Sequence, residues 1–145
     1  MPNEVQALRE VYRVLKPGGT LAVFAPNRLF PFETHGITLQ RSRRSLSPSF
    51  PFIPYIPLRL GRRVFVFHAR NYWPWELRRL LIEIGFHIVH RTWLWQTFEN
   101  VSGRQPALIR WTRPVLRGIA GVGERIPLLR RLGVSQVLFV TKPAR

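Results

Sequence analysis

The chain has 145 residues, 46% of them hydrophobic, which suits one small domain and argues against wholesale disorder. It carries 23 basic residues against 7 acidic ones, a formal net charge of +16; all the acids are Glu and 21 of the bases are Arg. With no Asp and no Cys, an aspartic dyad, an Asp-rich metal loop, disulfides, thiolate zinc sites and Cys nucleophiles are excluded. No apolar run approaches the ~20 residues that span a bilayer. The first residues lack a charged stretch followed by an apolar one, so no signal peptide is expected. Charge of this sign suits polyanions, nucleic acid or anionic lipid.

The chain opens on a predicted helix. Asn3 is its expected N-cap, with Gln6 as capping-box partner. Val5, Leu8, Val11, Tyr12 and Leu15 recur at helical spacing, and Glu10 pairs with Arg13 on the solvent side. Lys16-Pro17-Gly18-Gly19 stops the helix. Thr20 to Ala25 is almost wholly apolar and is expected to be a strand buried on both faces of a parallel sheet.

Residues 28–70 break this pattern. Pro31, Pro48, Pro51, Pro54 and Pro57 forbid long regular elements, with Phe50, Phe52, Ile53, Tyr55, Ile56 and Leu58 interleaved among them. This reads as a long inserted loop with an apolar stretch, a basic run at Arg41–Arg44 and a strand at 64–67. A helix then starts at Pro74, with Glu76 in its first turn, an apolar stripe of Leu77, Leu80, Leu81 and Ile84, and a stop at Gly85. Phe86 to Trp93 alternates as a half-buried strand, on which His87 and His90 should face opposite ways and make no metal pair. Residues 96–134 are basic and broken. On a helical wheel Arg110, Arg113 and Arg117 oppose Leu108, Trp111, Val115 and Ile119, and Pro114 is expected to kink or split the helix. Gln136 to Thr141 is a last strand.

The block Ala7-Leu8-Arg9-Glu10-Val11-Tyr12-Arg13-Val14-Leu15-Lys16-Pro17-Gly18-Gly19-Thr20-Leu21 resembles a motif of the class I S-adenosylmethionine-dependent methyltransferases, most closely the type 11 small-molecule group. In that family a helix ending "R-V-L-K-P-G-G" leads into the fifth strand. Arg70-Asn71-Tyr72, Glu76-Leu77 through Leu81, and Ile84-Gly85-Phe86-His87-Ile88-Val89 are similar to the family's next helix and sixth strand. Val137 to Val140 resembles its antiparallel seventh strand.

The resemblance implies an α/β fold: the C-terminal part of a Rossmann-like sheet, with its last parallel strands, an antiparallel final strand, helices and a long Pro/Arg-rich insert. The expected core is 1–27, 71–95 and 135–142. Residues 28–70 are an insert or lid, and 96–134 a basic helical insert. The family holds its cofactor with an N-terminal half that this chain does not match, so its cofactor-binding residues stay unassigned. A truncated or misassigned start is the expected explanation, with the other half of the domain or a complementing chain as partner. The chain alone is then expected to be marginally stable and not to bind S-adenosylmethionine.

In open α/β sheets ligands sit beyond the carboxyl ends of the strands. That points to Asn27, Arg28, Phe30 and the segment through His35, and to His68, Arg70, Asn71 and Tyr72 before the next helix. His35 or Glu33 is the expected base for an acceptor hydroxyl or amine, and Arg70 suits an acidic acceptor group. Loop hydrogen bonding and helix-entry packing are the competing roles. Trp73, Trp75, Trp93 and Trp95 read as core and edge aromatics, or as a wall for an apolar acceptor. No metal site is expected, and no Walker loop, HExxH, GxSxG or GxGxxG occurs.

The expected activity is methyl transfer to a small-molecule or lipid-like acceptor, with this chain as the acceptor-side half, inactive alone. The alternative is a basic membrane-surface or RNA-binding module without catalysis. An anionic membrane would meet Arg110, Arg113, Arg117, Arg130 and Arg131, and nucleic acid is the weaker fit. The expected location is cytoplasmic, with the inner face of the membrane as the surface it would meet. Residues 41–70 carry 7 basic and no acidic groups, and residues 96–145 carry 9 and 2, so nearly all the excess charge lies outside the expected core.

Overall fold

The structure, a computed structural model, describes residues 4–33, 35–46, 51–95 and 107–144, with side chains in the last stretch at 114, 115 and from 117 on. Asn3, Phe50, residues 96–106 and the side chains of Arg110 and Arg113 therefore lie outside the described residues. In chain order the elements are α1 (Glu4–Val14), β1 (Thr20–Pro26), β2 (Ile37–Leu39), β3 (Ser45–Leu46), a 3-10 turn (Ile53–Tyr55), α2 (Leu58–Val64), β4 (Phe65–Phe67), α3 (Pro74–Ile84), β5 (His87–Leu94), α4 (Ala107–Arg125), α5 (Pro127–Arg130) and β6 (Ser135–Thr141).

The apolar spacing of α1 does what it predicts. Leu8, Val11, Tyr12 and Leu15 pack on the core, while Arg13 and Glu10 pair in solvent at 2.6 Å. The Pro-Gly-Gly turn is closed from the far end of the chain. Gly18, in the left-handed region at φ 76°, donates its N–H to the Lys142 carbonyl at 2.8 Å, and the Lys142 N–H donates to Gly19 at 3.0 Å. The Lys142 ammonium donates to the carbonyls of Tyr12 and Leu15 at 2.8 and 2.9 Å, satisfying acceptors that a helix end leaves open.

The main sheet has the order β1-β6-β5, and both pairings are antiparallel. Strands β1 and β5 thus run the same way but do not touch as a ladder, because the last strand lies between them. This corrects the expected parallel sheet: among the described residues, parallel pairing is confined to an isolated bridge between Asn27 and Tyr72. It also corrects the burial of β1. Helices α1 and α3 cover one face, where Leu21, Val23 and Ala25 point, while Phe24 on the other face is 63% exposed. Among the described residues β1 is paired along one edge only.

The core joins Ala25, Tyr72, Leu77, Leu81, Phe86, Leu138 and Val140. Phe86 meets Tyr12 edge to face with ring centroids 4.9 Å apart. Helix α3 starts as its residues predict, with Pro74 in the first turn and the Glu76 carboxylate accepting the Trp73 N–H at 3.3 Å. It ends at Gly85 with φ 112°, where a Cβ would also crowd the Tyr12 hydroxyl at 3.1 Å.

Strand β5 carries a bulge between Ile88 and His90. His87 therefore lies opposite Thr141 and His90 opposite Phe139, two positions apart on β6 and on one face. The expectation that these histidines face opposite ways is corrected by that extra residue. The insert also holds more order than a loop, since β3-β2-β4 forms a second antiparallel sheet around fully buried Ile37. Helix α4 runs as one element through Pro114, so of the kink or split expected there the split does not occur. Proline removes one N–H from the ladder, and the turns on either side remain bonded. Gly123 lets α4 lie on Trp95, since a Cβ there would come within 2.6 Å of the indole.

Two substitutions test this layout by urea denaturation. Phe86→Ala should cost about 3–5 kcal/mol, because it empties the centre of the core. Phe24→Lys should stay within about 0.5 kcal/mol of the parent, since the face it sits on is uncovered.

Candidate functional site

The carboxyl end of β1 and the entry to α3 are stitched together. The Tyr72 N–H donates to Pro26 at 3.0 Å, and the Tyr72 carbonyl accepts from the Arg28 N–H at 3.0 Å and from Gln136 Nε2 at 3.0 Å. The two segments singled out from the sequence, 27–36 and 68–72, thus meet at Arg28 and Tyr72, although about 40 residues separate them along the chain.

Most of the buried polar side chains here are consumed by the fold. Asn27, 2% exposed, donates Nδ2 to the carbonyls of Arg131 and Gly133 at 2.8 and 2.7 Å, while its Oδ1 accepts the Leu29 N–H at 3.2 Å. Arg28 is buried too. Its Nε donates to Pro54 at 2.5 Å and Nη2 to Ile56 at 2.7 Å, and its guanidinium lies 5.1 Å from the centre of the Trp73 ring. It is a clamp that draws the insert onto the main sheet. Burial pushes its pKa down, with the Glu76 charge opposing. Tyr55 adds a second tie, donating its hydroxyl to Leu29 at 2.9 Å. Phe30 is half-buried beside Phe32, with ring centroids 5.7 Å apart.

Glu33 is 1% exposed, and its carboxylate accepts the His35 N–H at 3.0 Å and Asn71 Nδ2 at 2.9 Å. His35 itself is exposed. The carboxylate therefore fixes the loop that presents the imidazole. His68 is drawn elsewhere, with Nε2 3.0 Å from Thr38 Oγ1 on the insert's sheet.

Arg70 does not wait for an acidic ligand. It forms ion pairs with Glu4 and Glu76 and lies 4.7 Å from the Tyr72 ring centre. Tyr72 in turn donates its hydroxyl to Glu4 at 2.7 Å. Burial raises the Tyr72 pKa; Arg70 opposes the shift and Glu76 adds to it. Glu4 and Gln136 are site residues that sequence reasoning missed. Glu4 lies 66 residues from Arg70, and no local spacing announces a pair of that kind.

An open groove of about 460 Å³ runs beside this cluster, lined among others by Glu4, Gln40, Arg62, Phe65, Phe67 and Arg70. Its walls combine rings with charge of both signs, which suits an apolar molecule bearing a polar group. Trp73 also stacks with Tyr55 and with Trp75, with ring centroids 6.3 and 4.9 Å apart. Among the described residues, no three His or acidic side chains gather as metal ligands.

S-adenosylmethionine, which the sequence resemblance implies, does not fit the residues present. The resemblance places the cofactor's cradle in a part this chain does not match, and the turn after β1, the strand that resembles the fifth, reads Asn27-Arg28-Leu29 with its polar side chains already engaged. The Glu33 carboxylate further along the same loop is already bonded to the His35 N–H and to Asn71 Nδ2.

No family model matches this chain, and no curated protein matches it. Among solved structures it is similar to an S-adenosylmethionine dependent methyltransferase from Mesorhizobium loti, with 18% identity and a TM-score of 0.46. The likeness covers 97% of this chain and 56% of that one, so the chain spans a little over half of that protein's length.

Two measurements check this site. Arg28→Ala should cost about 2–3 kcal/mol and open residues 37–67 to limited proteolysis while the main sheet persists. In a spectrophotometric titration Tyr72 should ionise above the usual tyrosine value of about 10, and Tyr72→Phe should remove that late step. Because the native state holds this proton more tightly, its stabilisation is present below the unfolded value and lost as pH rises through the folded one.

Proposed function

We propose that this chain is the acceptor-side part of a class I S-adenosylmethionine-dependent methyltransferase domain, acting on a small-molecule or lipid-like acceptor. One observation carries the reading. The segments that resemble the family's fifth, sixth and seventh strands are β1, β5 and β6, and the one expected to be antiparallel is the strand that runs against the other two. The Arg13–Gly19 block that introduces β1 is the most specific part of that resemblance.

In this reading the groove beside Arg62 and Arg70 takes the acceptor, with Phe65 and Phe67 against its apolar part. His35, presented by the Glu33–Asn71 anchor, removes the acceptor's proton. Glu33 acts through His35 as a positioning residue. The cofactor belongs to a complementary part that pairs along the open edge of β1 and covers Phe24. The alternative, a basic binding module without catalysis, draws on the exposed Arg41, Arg43 and Arg44 turn and on α4–α5.

The test begins with calorimetry. This chain alone should show no S-adenosylmethionine binding, and a tight one-to-one isotherm would sink the division of labour. The DNA upstream of the Met1 codon should then encode an in-frame strand followed by a Gly-rich turn. Expressed together, the two parts should transfer labelled methyl groups. His35→Ala should lower kcat by about 10²-fold or more, with cofactor affinity unchanged. Activity untouched by that change would remove His35 as the base.

A further inference from the structure

The corner formed by α4 and α5 exposes apolar surface that its own sheet does not use. Helix α4 rests on the protein through Ala120, which is buried, and Gly123, which lies on Trp95. Val115, Ile119, Val122 and Ile126 follow at helical spacing on another side of the helix and are 64%, 56%, 54% and 42% exposed. The chain then turns at Pro127 and presents Leu128, the most exposed large apolar residue described, at 72%. Leu129 and Leu132 beside it are each 37% exposed. A contiguous apolar strip of this kind on a monomer marks an interaction surface.

Its surroundings are mainly positive, with Glu124 the one exposed acid among the described residues there. Arg125, Arg130 and Arg131 bracket the leucines in sequence, and all three are exposed. Arg130 reaches back to Thr92 Oγ1 at 2.5 Å, which ties this corner to β5. Arg91 of β5 is half-buried there. Burial lowers its pKa, and the neighbouring charges of Arg131 and Arg78 lower it further. Among the described residues, none of these arginines forms an ion pair with a carboxylate. The fold therefore gathers like charges at a cost, beside aliphatic side chains that face water.

We propose that the α4–α5 corner docks on an anionic lipid bilayer. Ile126, Leu128 and Leu132 enter the boundary between head groups and acyl chains, and Arg125, Arg130 and Arg131 meet the lipid phosphates. A second copy is the poorer fit, because pairing the corner with itself would set arginine against arginine. RNA is poorer too, since single strands bind on exposed rings, and the exposed apolar side chains here are Val, Ile and Leu. The bilayer alone supplies both an apolar layer and a dense sheet of negative charge. The expectation from sequence named Arg110, Arg113, Arg117, Arg130 and Arg131 for this contact; the proposal keeps Arg130 and Arg131 and adds Arg125 and the exposed leucines of the turn.

Flotation of the full chain with lipid vesicles decides the matter. Vesicles of phosphatidylcholine with about 30% phosphatidylglycerol should carry at least tenfold more protein than pure phosphatidylcholine, and about 0.5 M salt should abolish most of the difference. Leu128→Glu and Arg131→Glu should each cut binding about tenfold, with the far-ultraviolet circular dichroism unchanged, since both side chains are exposed. Equal flotation with the two lipids would overturn the proposal, as would binding indifferent to Leu128→Glu. A dimer in sedimentation that Leu128→Glu dissolves, without flotation, would assign the surface to a second copy. Salt-steep RNA binding without flotation would assign it to nucleic acid. None of these readouts involves methyl transfer, so the two proposals fail separately.

Discussion

Strand β6 holds this molecule together. It is the last strand in the chain and the middle one in the sheet, hydrogen-bonded along both edges, and Gln136, Leu138 and Val140 are wholly buried in it. Strands β1 and β5 form no ladder with each other, so α1–β1 and α3–β5 are each local units with unsatisfied backbone until β6 arrives. Closing the loop from β1 to β6 spans more than 100 residues, and that entropy is spent before the ladder forms. Gln136 extends the same role into side chains: its amide nitrogen donates to the Tyr72 carbonyl, and its oxygen accepts from Arg91 at 3.2 Å.

The approach of β6 also decides which polar residues remain for chemistry. The stretch just before it passes across the end of β1, where Asn27 donates its backbone N–H to Val134 and its side chain to Arg131 and Gly133. A buried polar group must be bonded, and here the backbone takes nearly all the capacity that Asn27 and Arg28 have. The parts of the site that face outward are the exposed His35 loop and the groove beside Arg62 and Arg70. Glu33 and Asn71 connect the buried layer to the outer one.

The acidic residues show the same division. Glu4, Glu10, Glu76 and Glu83 each pair with an arginine on α1, on α3 or at the entry to α3. Those pairs keep the α/β core near neutrality. The insert and the C-terminal region have few acids, and among the described residues the exposed Arg41, Arg43, Arg44, Arg125, Arg130 and Arg131 form no ion pair with a carboxylate, whereas Arg28 is buried and Arg70 is paired. The positive charge of the whole chain is therefore a property of two surfaces laid on a balanced core, and the α4–α5 turn adds exposed leucines to one of them.

The sequence by itself determined the local elements. Apolar spacing places α1 and α3, Pro74 and Glu76 mark where α3 begins, and Gly18 and Gly85 mark where helices stop, because each of these signals acts within a few residues. The order of the insert was hidden, since β2, β3 and β4 are two or three residues long and each is stabilised by the others rather than by its own pattern. The bulge in β5 was hidden as well, because an extra residue in one strand is defined only against its partner. Of the candidate site, the sequence named the two segments that meet. Only the tertiary structure decided that Asn27 and Arg28 are clamps, that Glu4 and Glu76 already satisfy Arg70, and that β6 lies between β1 and β5. Side-chain partners and strand neighbours far apart along the chain are chosen by packing and burial, and no local periodicity records them.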